Sequence, residues 1–343
     1  MNPREAGFRM PAEWAPHAST WVAWPSHEDL WLENLGPARE AFGQLVAAIA
    51  EGEFVDVLVL DEAGEDAARR VLAGDCVRYH RVPFGDIWLR DTAPIFLAGP
   101  RGETAAARFA FNGWGGKYLL DHDDELAERI ARRVDVNRRF TMAFVLEGGA
   151  VDVDGEGTVL TTRQCLLHPN RNPSMDERQI ERGVADALGA EKVLWLGDGL
   201  LNDHTDGHVD TVARFAAPGL VVAMEPRSDD DPNRDALRAL LAEIGSMVDA
   251  RGRRLELAPV PSPGRVVDKR GRVLPASYVN FYLANAAVVV PTYGSPFDGE
   301  AVERIGALFP GRRAVGVDAR AILSGGGAFH CITQQQPKGG GAS

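Results

Sequence analysis

The sequence has little cysteine, with only Cys76, Cys165 and Cys331 in 343 residues. They are odd in number, widely separated and form no CxxC pair, which argues against a disulfide framework. No run of about 18 apolar residues occurs, so no membrane span is expected. The segment from Met1 to Trp14 carries Arg4, Glu5, Arg9 and Glu13 without an apolar stretch, so no secretory leader is expected. These absences predict a reduced, cytoplasmic protein. Positive charge is also scarce: 37 Lys and Arg stand against 49 Asp and Glu, a formal net charge of -12. Phosphate backbones need clustered cations, so nucleic acid is excluded as the main partner. A negative field suits a small cationic substrate, although it serves solubility equally well. No Pro/Gly/Ser-rich linker divides the chain, even though its length alone suggests about two domains. With 45% hydrophobic residues, it buries enough apolar surface to need neither disulfide nor structural metal.

Short β-rich runs alternate with helical stripes. Phe54 to Leu60, Gly219 to Met224, Ala286 to Val290 and Ala314 to Val317 are predicted strands. Asp154-Gly-Glu-Gly157 between Val151-Asp-Val153 and Thr158 to Thr162 predicts a hairpin. Phe42, Leu45, Val46 and Ile49 recur at helical spacing. So do Leu237, Leu240, Leu241, Ile244 and Val248, and also Ile180, Val184 and Leu188. Val302, Ile305, Leu308 and Phe309 form a further stripe, stopped by Pro310. These stripes are core faces. The reading is a mixed α/β protein occupying residues 1–337, with a flexible tail at 338–343.

Several positions carry chemistry-bearing side chains. In a strand, His208 and Asp210 project to one face, giving a base and a carboxylate aimed at one pocket. In a helix they would point about 200° apart. Gly325-Gly-Gly-Ala-Phe-His-Cys331 permits close backbone approach to a ligand and then delivers a thiol. His330 is adjacent in sequence, so in an extended segment it points away from Cys331 and is not taken as the base. Asp86-Ile-Trp-Leu-Arg-Asp91 and Glu147-Gly-Gly149 place carboxylates at predicted strand ends, where turns and structural ion pairs also use them. Arg90 is a candidate structural partner for a neighbouring carboxylate. Trp88 and Trp114, the latter within Asn112-Gly-Trp-Gly-Gly116, offer aromatic faces that suit a cation as well as a core.

The ordered set of Trp88…Asp91, Glu147-Gly-Gly149, His208-x-Asp210 and a glycine loop ending at Cys331 resembles the agmatine deiminase family. So do Met10-Pro-Ala-Glu-Trp14, Phe111 to Gly116, Leu166 to Pro173, Pro275 to Tyr282 and His330 to Gln335. The likeness runs from about Met10 to Pro337. It implies one pentein domain, a five-bladed α/β propeller of pseudo-repeated ββαβ units around a central site. It also implies a homo-oligomer, a small cationic guanidino substrate, and no metal or other cofactor.

The chemistry implied is attack on a guanidinium carbon. Asp91 and Asp210 grip its N–H groups through charge-assisted bonds, with Glu147 as a third acid. Cys331 is the nucleophile, and His208 is the acid that protonates the leaving nitrogen and the base that then activates water. Glu147 either orients His208 or contacts the guanidinium. An ordinary thiol is mostly protonated at neutral pH. Either the site lowers its pKa or the bound cation does so, and an acidic pocket favours the second. Trp88, Asp86, Trp114, Asp203, His204 and Asp206 are the expected substrate-binding residues. One departure stands out: the family usually reads Asp-Glu-Thr-Asp/Asn-Gly-His before the catalytic histidine, where this chain has Asp203-His204-Thr-Asp206-Gly-His208. His204 thus replaces an acid able to meet the far amine of agmatine. A rival metallohydrolase reading uses His204 and His208, four apart, with Asp203, Asp206 and Asp210. Thr205-Asp206-Gly207 breaks the helix which that pair needs. A second rival is a pentein that binds polyamines without turnover.

Overall fold

The structure is a computed structural model that describes residues 1–72 and 74–339. Five small sheets are present among these residues. Four of them repeat one plan: two antiparallel strands, a helix, and a third strand parallel to the second. β4 (Ile95–Ala98), β5 (Thr104–Ala110) and β6 (Arg138–Val145) form one such sheet. β7 (Asp152–Val153), β8 (Thr158–Thr162) and β9 (Lys192–Leu196) form the next. β10 (Ala213–Ala217), β11 (Leu220–Glu225) and β12 (Glu256–Pro261) follow, and then β13 (Tyr282–Leu283), β14 (Ala287–Thr292) and β15 (Arg313–Asp318). The remaining sheet joins the two ends of the chain. β16 (Gln334–Pro337) pairs antiparallel with β1 (His17–Ala23), which runs parallel to β2 (Phe54–Val59) and through it reaches β3 (Val77–Arg81). This is the five-bladed α/β propeller that the resemblance implies.

The local sequence explains the elements. Middle strands such as β14, Ala-Val-Val-Val-Pro-Thr, have neighbours on both edges and a helix across one face, and they read as nearly continuous apolar runs. Four of the six longer crossover helices are the predicted stripes, while those at Glu62–Val71 and Asp123–Ala131 carry none of them. The six are α1 (Leu35–Ile49), α2 (Glu62–Val71), α3 (Asp123–Ala131), α4 (Glu177–Leu188), α5 (Arg234–Ser246) and α6 (Asp298–Leu308). α4 begins in a reciprocal capping box between Asp176 and Gln179. Its Ile180, Val184, Ala187 and Leu188 are buried. α5 packs against β9, α6 against β12 and α1 against β15, so each helix also bridges to the preceding blade. No helix among the described residues is long and apolar enough to cross a membrane. Of the tail expected at 338–343, Lys338 is tied by its N–H to the Pro16 carbonyl at 2.8 Å, and residues 340–343 lie outside the described part.

One regularity positions the site. The segment just ahead of each blade's first strand carries a candidate side chain: Asp91 before β4, Glu147 before β7, His208 and Asp210 before β10, Asn280 before β13 and Cys331 before β16. Residues scattered over 240 positions of sequence are thereby brought to the shared centre of the ring.

Candidate active site

The groups converge around Gly149. A Cβ built there would fall 2.5 Å from His208 Nδ1, 3.0 Å from Asp210 Oδ2 and 3.1 Å from Asp91 Oδ1, so only glycine leaves room for all three. Cys331 Sγ lies 3.6 Å from Asp210 Oδ2 and accepts from Asn280 Nδ2 at 3.1 Å. Asp91 is held by two donors, the Gly149 N–H at 2.9 Å and the Trp114 indole N–H at 2.8 Å. Its Oδ1 is 3.8 Å from His208 Nδ1. Glu147 accepts from Arg171 Nε at 2.6 Å through one oxygen. Asp210 bonds the His330 ring at 2.6 Å through Oδ2. The other oxygens, Glu147 Oε2 and Asp210 Oδ1, are buried with no hydrogen-bond partner among the described residues, as are both ring nitrogens of His208. Buried polar atoms are normally paired, so this arrangement is poised for a ligand rich in N–H donors.

The local electrostatics suit the same ligand. Burial and the carboxylates of Asp210 and Asp91 push the Cys331 thiol well above its ordinary pKa. Burial opposes charge on His208, yet Asp91, Cys165 and Glu147 around it hold the imidazolium well above the usual histidine value. Asp91 is raised by burial and by the carboxylates of Asp210 and Glu147, against the pull of His208. Asp210 also pays for burial, but His330, His208 and Arg214 leave it below the usual carboxylate range. The free site therefore holds a protonated thiol, a protonated histidine and a surplus of carboxylate, which a bound cation would rebalance.

Comparison with known proteins gives this constellation a family. Residues 9–337 match the Porphyromonas-type peptidyl-arginine deiminase family. The chain belongs to that family. An agmatine deiminase of Stutzerimonas stutzeri is 40% identical over 358 residues, covering 98% of this chain and 97% of its own. The solved agmatine deiminase of Enterococcus faecalis has a TM-score of 0.93 at 36% identity, over 98% of each chain. A C. jejuni agmatine deiminase, solved with a cysteine-to-serine substitution and substrate bound, has a TM-score of 0.87 at 27% identity over 97% of each chain.

Within this member of the peptidyl-arginine deiminase family, two readings of the sequence need correction. His208 and Asp210 are not on a strand: His208 caps a 3-10 turn, Val209–Thr211. Asp206 and Gly207, both at positive φ, reorient the backbone just before it, so the two side chains reach one site by a sharp turn instead of by strand alternation. Asp206, expected to face a substrate, already has two cationic partners. Lys117 lies at 2.5 Å and Arg171 at 2.8 Å, and its pKa falls to about 2 as these bonds outweigh burial. His330 also lies in a turn, not in an extended segment. Its ring is clamped between Asp210 and Glu13, which fits its exclusion as the base.

The other expected residues are placed as follows. Asp86 is buried and accepts the indole N–H groups of Trp31 at 3.0 Å and Trp88 at 2.8 Å. Trp88 stacks on Trp31 and lies beneath the glycine loop, 2.8 Å from a Cβ built at Gly327. Trp114 adopts a left-handed backbone, φ 52°, a conformation uncommon without glycine, and its indole secures Asp91. Asp203 accepts from the N–H and hydroxyl of Thr205. His204 stands at the rim, stacked on Tyr118, with Nδ1 3.1 Å from the Tyr118 hydroxyl and 3.3 Å from a Cβ built at Gly326. Among the described residues, the ligand atoms that cluster with His208 come from Glu147 and Cys165 and not from His204, against the paired-histidine metal reading. Asp203, His204, Lys117 and Tyr118 line a cleft of roughly 1320 Å³ that borders the glycine loop.

The supporting layer was missed. Glu13 accepts from Arg90, Arg214 and His330, while Arg214 also pairs with Asp152. Arg90 fulfils its expected structural role here. Asn280 and Arg171 touch the site groups directly. Each lies inside a segment that resembles the family, which was the available signal, but local spacing assigns none of them a partner.

Proposed function

We propose that this chain hydrolyses the guanidinium of agmatine to N-carbamoylputrescine and ammonia. The supporting observation is the convergence, from separate blades, of the Cys331 thiol, the His208 imidazole and three carboxylates, two of which, Glu147 and Asp210, keep an unpartnered oxygen. The relatives named as agmatine deiminases supply the substrate. Asp210 Oδ1 and Asp91 accept N–H groups of the planar cation. Its charge favours the Cys331 thiolate, whose proton passes to solvent as the cation binds, and the thiolate attacks the central carbon. His208 gives its proton to the departing nitrogen, and ammonia leaves a covalent S-alkylthiouronium. Neutral His208 then takes a proton from water. The resulting hydroxide adds to the same carbon, the C–S bond breaks as the adduct's hydroxyl proton returns to the departing sulfur, and the ureido product leaves. Glu147, fixed by Arg171, keeps His208 charged in the resting state. We further read the protein as cytoplasmic, assembled from more than one copy of the chain, and free of any metal requirement.

A second reading concerns the tail of the substrate. His204 and Lys117 at the rim favour a guanidino compound without a second cation. The test is a screen of agmatine, arginine, 4-guanidinobutyrate and peptidyl-arginine for ureido product and ammonia. A like-charge mismatch in a closed site costs several kcal/mol, so the preference should be sharp. Agmatine is expected to win by a large factor over arginine. Equal or better turnover of arginine or a guanidino acid overturns the agmatine assignment but leaves the deiminase chemistry standing. His204→Glu should alter the ratio between tails more than the rate on the preferred one.

A further inference from the structure

We infer that Glu147, Cys165 and His208 form an inhibitory site for zinc or a similarly soft divalent cation. One ligand atom from each residue lies within 4.8 Å of the others, and all three residues are buried. Cys165 has no part in the reaction proposed above. It sits on the short helical turn Arg163–Leu166, where the Thr162 hydroxyl accepts its backbone N–H at 3.3 Å. The other two residues present unpartnered atoms, Glu147 Oε2 and both nitrogens of His208. Buried polar atoms are normally paired, and a coordinate bond would supply the missing partner.

The donor set selects the ion. Thiolate, imidazole and carboxylate together suit zinc, whereas magnesium and calcium favour oxygen. Zinc bonds of about 2.0–2.3 Å set neighbouring donors roughly 3.5 Å apart, so the three would close on an ion by shifts on the order of an ångström or less. The field is favourable too, because Asp91 and Asp210 border the cluster and, among the described residues, Arg171 alone of the basic side chains pairs with Glu147. Binding needs a thiolate and a neutral imidazole, so the protons of Cys165 and His208 pass to solvent. His208 held in this way can neither give nor take a proton. The ion is therefore an inhibitor instead of a cofactor, and it competes with a guanidinium for the same negative field.

Zinc binding to the Cys331→Ser protein, measured by competition with a chromogenic chelator, tests the site without relying on the reaction. One zinc per chain is expected, and adding Cys165→Ala should weaken it on the order of tenfold or more. Cobalt in the Cys331→Ser protein should give a thiolate charge-transfer band, lost with Cys165→Ala. In the wild type, zinc should inhibit and a chelator restore turnover, while the single Cys165→Ala variant keeps its own zinc-free rate when zinc is added. No zinc bound by Cys331→Ser overturns the site, as does undiminished zinc binding by a folded Cys165→Ala variant. Should that variant fail to fold, absence of the cobalt–thiolate band in Cys331→Ser rejects the site by itself.

Discussion

Replacing Asp210 with asparagine should cripple turnover and yet make Cys331 more reactive. The carboxylate stands 3.6 Å from the thiol sulfur. At an effective dielectric of about 20, one unit charge at that separation is worth about 4–5 kcal/mol, on the order of a thousandfold in an equilibrium constant. A neighbouring anion disfavours thiolate, so its removal lowers the thiol pKa and raises the thiolate fraction about a thousandfold at neutral pH. Less basic thiolates are weaker nucleophiles, with a Brønsted slope of about 0.4–0.5, which cancels all but tens-fold of that gain. The assay is the rate of carbamidomethylation of the Cys331 peptide by iodoacetamide at pH 7, followed by mass spectrometry. Iodoacetamide is neutral, so the altered charge does not change its recruitment. Asp210→Asn should be alkylated tens-fold faster than wild type while ammonia release falls. Alkylation that is unchanged or slower would refute both the raised thiol pKa and the proposal that the bound cation releases the thiolate.

Other substitutions separate chemistry from scaffold. Cys331→Ser should lose nearly all ammonia release while still binding agmatine by calorimetry, whereas Cys76→Ser and Cys165→Ser should remain active. Gly149→Ala forces a methyl against His208 Nδ1, and kcat should fall on the order of a hundredfold, since misplacement of about 1 Å carries that penalty. Asp123 is buried with its pKa raised to about 7, chiefly by burial, and its Oδ1 accepts the Gly85 N–H. A raised folded pKa makes its contribution most favourable at low pH and progressively less so as pH rises from about 4 to about 7. Asp123→Asn should therefore gain stability at pH 8, by up to about 4 kcal/mol, and gain little at pH 4, as read by denaturant unfolding.

Four crossover helices were legible because their apolar stripes answer to local periodicity, as Phe42, Leu45, Val46 and Ile49 of α1 show, whereas the short, charge-rich α2 and α3 were not. The hairpin around Gly155 was legible for the same reason, its turn residues lying between its strands. Cys331, His208, Asp210, Asp91 and Glu147 were found by residue type, glycine neighbours and family likeness, and they do meet. What escaped was pairing at long range. Asp206 looked like an available acid because its partners, Lys117 and Arg171, are 89 and 35 positions away on other blades. The strand reading of His208-x-Asp210 failed on two left-handed residues, Asp206 and Gly207, whose effect depends on what they pack against. Glu13 reads as an ordinary residue near the start of the chain, yet it joins two arginines and His330, the last 317 positions distant.

The pairing of β16 with β1 also bears on timing. Cys331 stands just before the strand that completes the ring, so it is synthesised after the strands of the four other blades. Contacts of such span form late, because loop closure must be met before they stabilise anything. Until that clasp forms, Cys331 is a common thiol on an unfinished chain. Once it forms, the carboxylates around it keep the sulfur protonated. Under the reaction proposed above, the ring serves as a safety catch for a cell whose proteins are dense with arginine: the sulfur is armed by a guanidinium that fits inside a finished propeller.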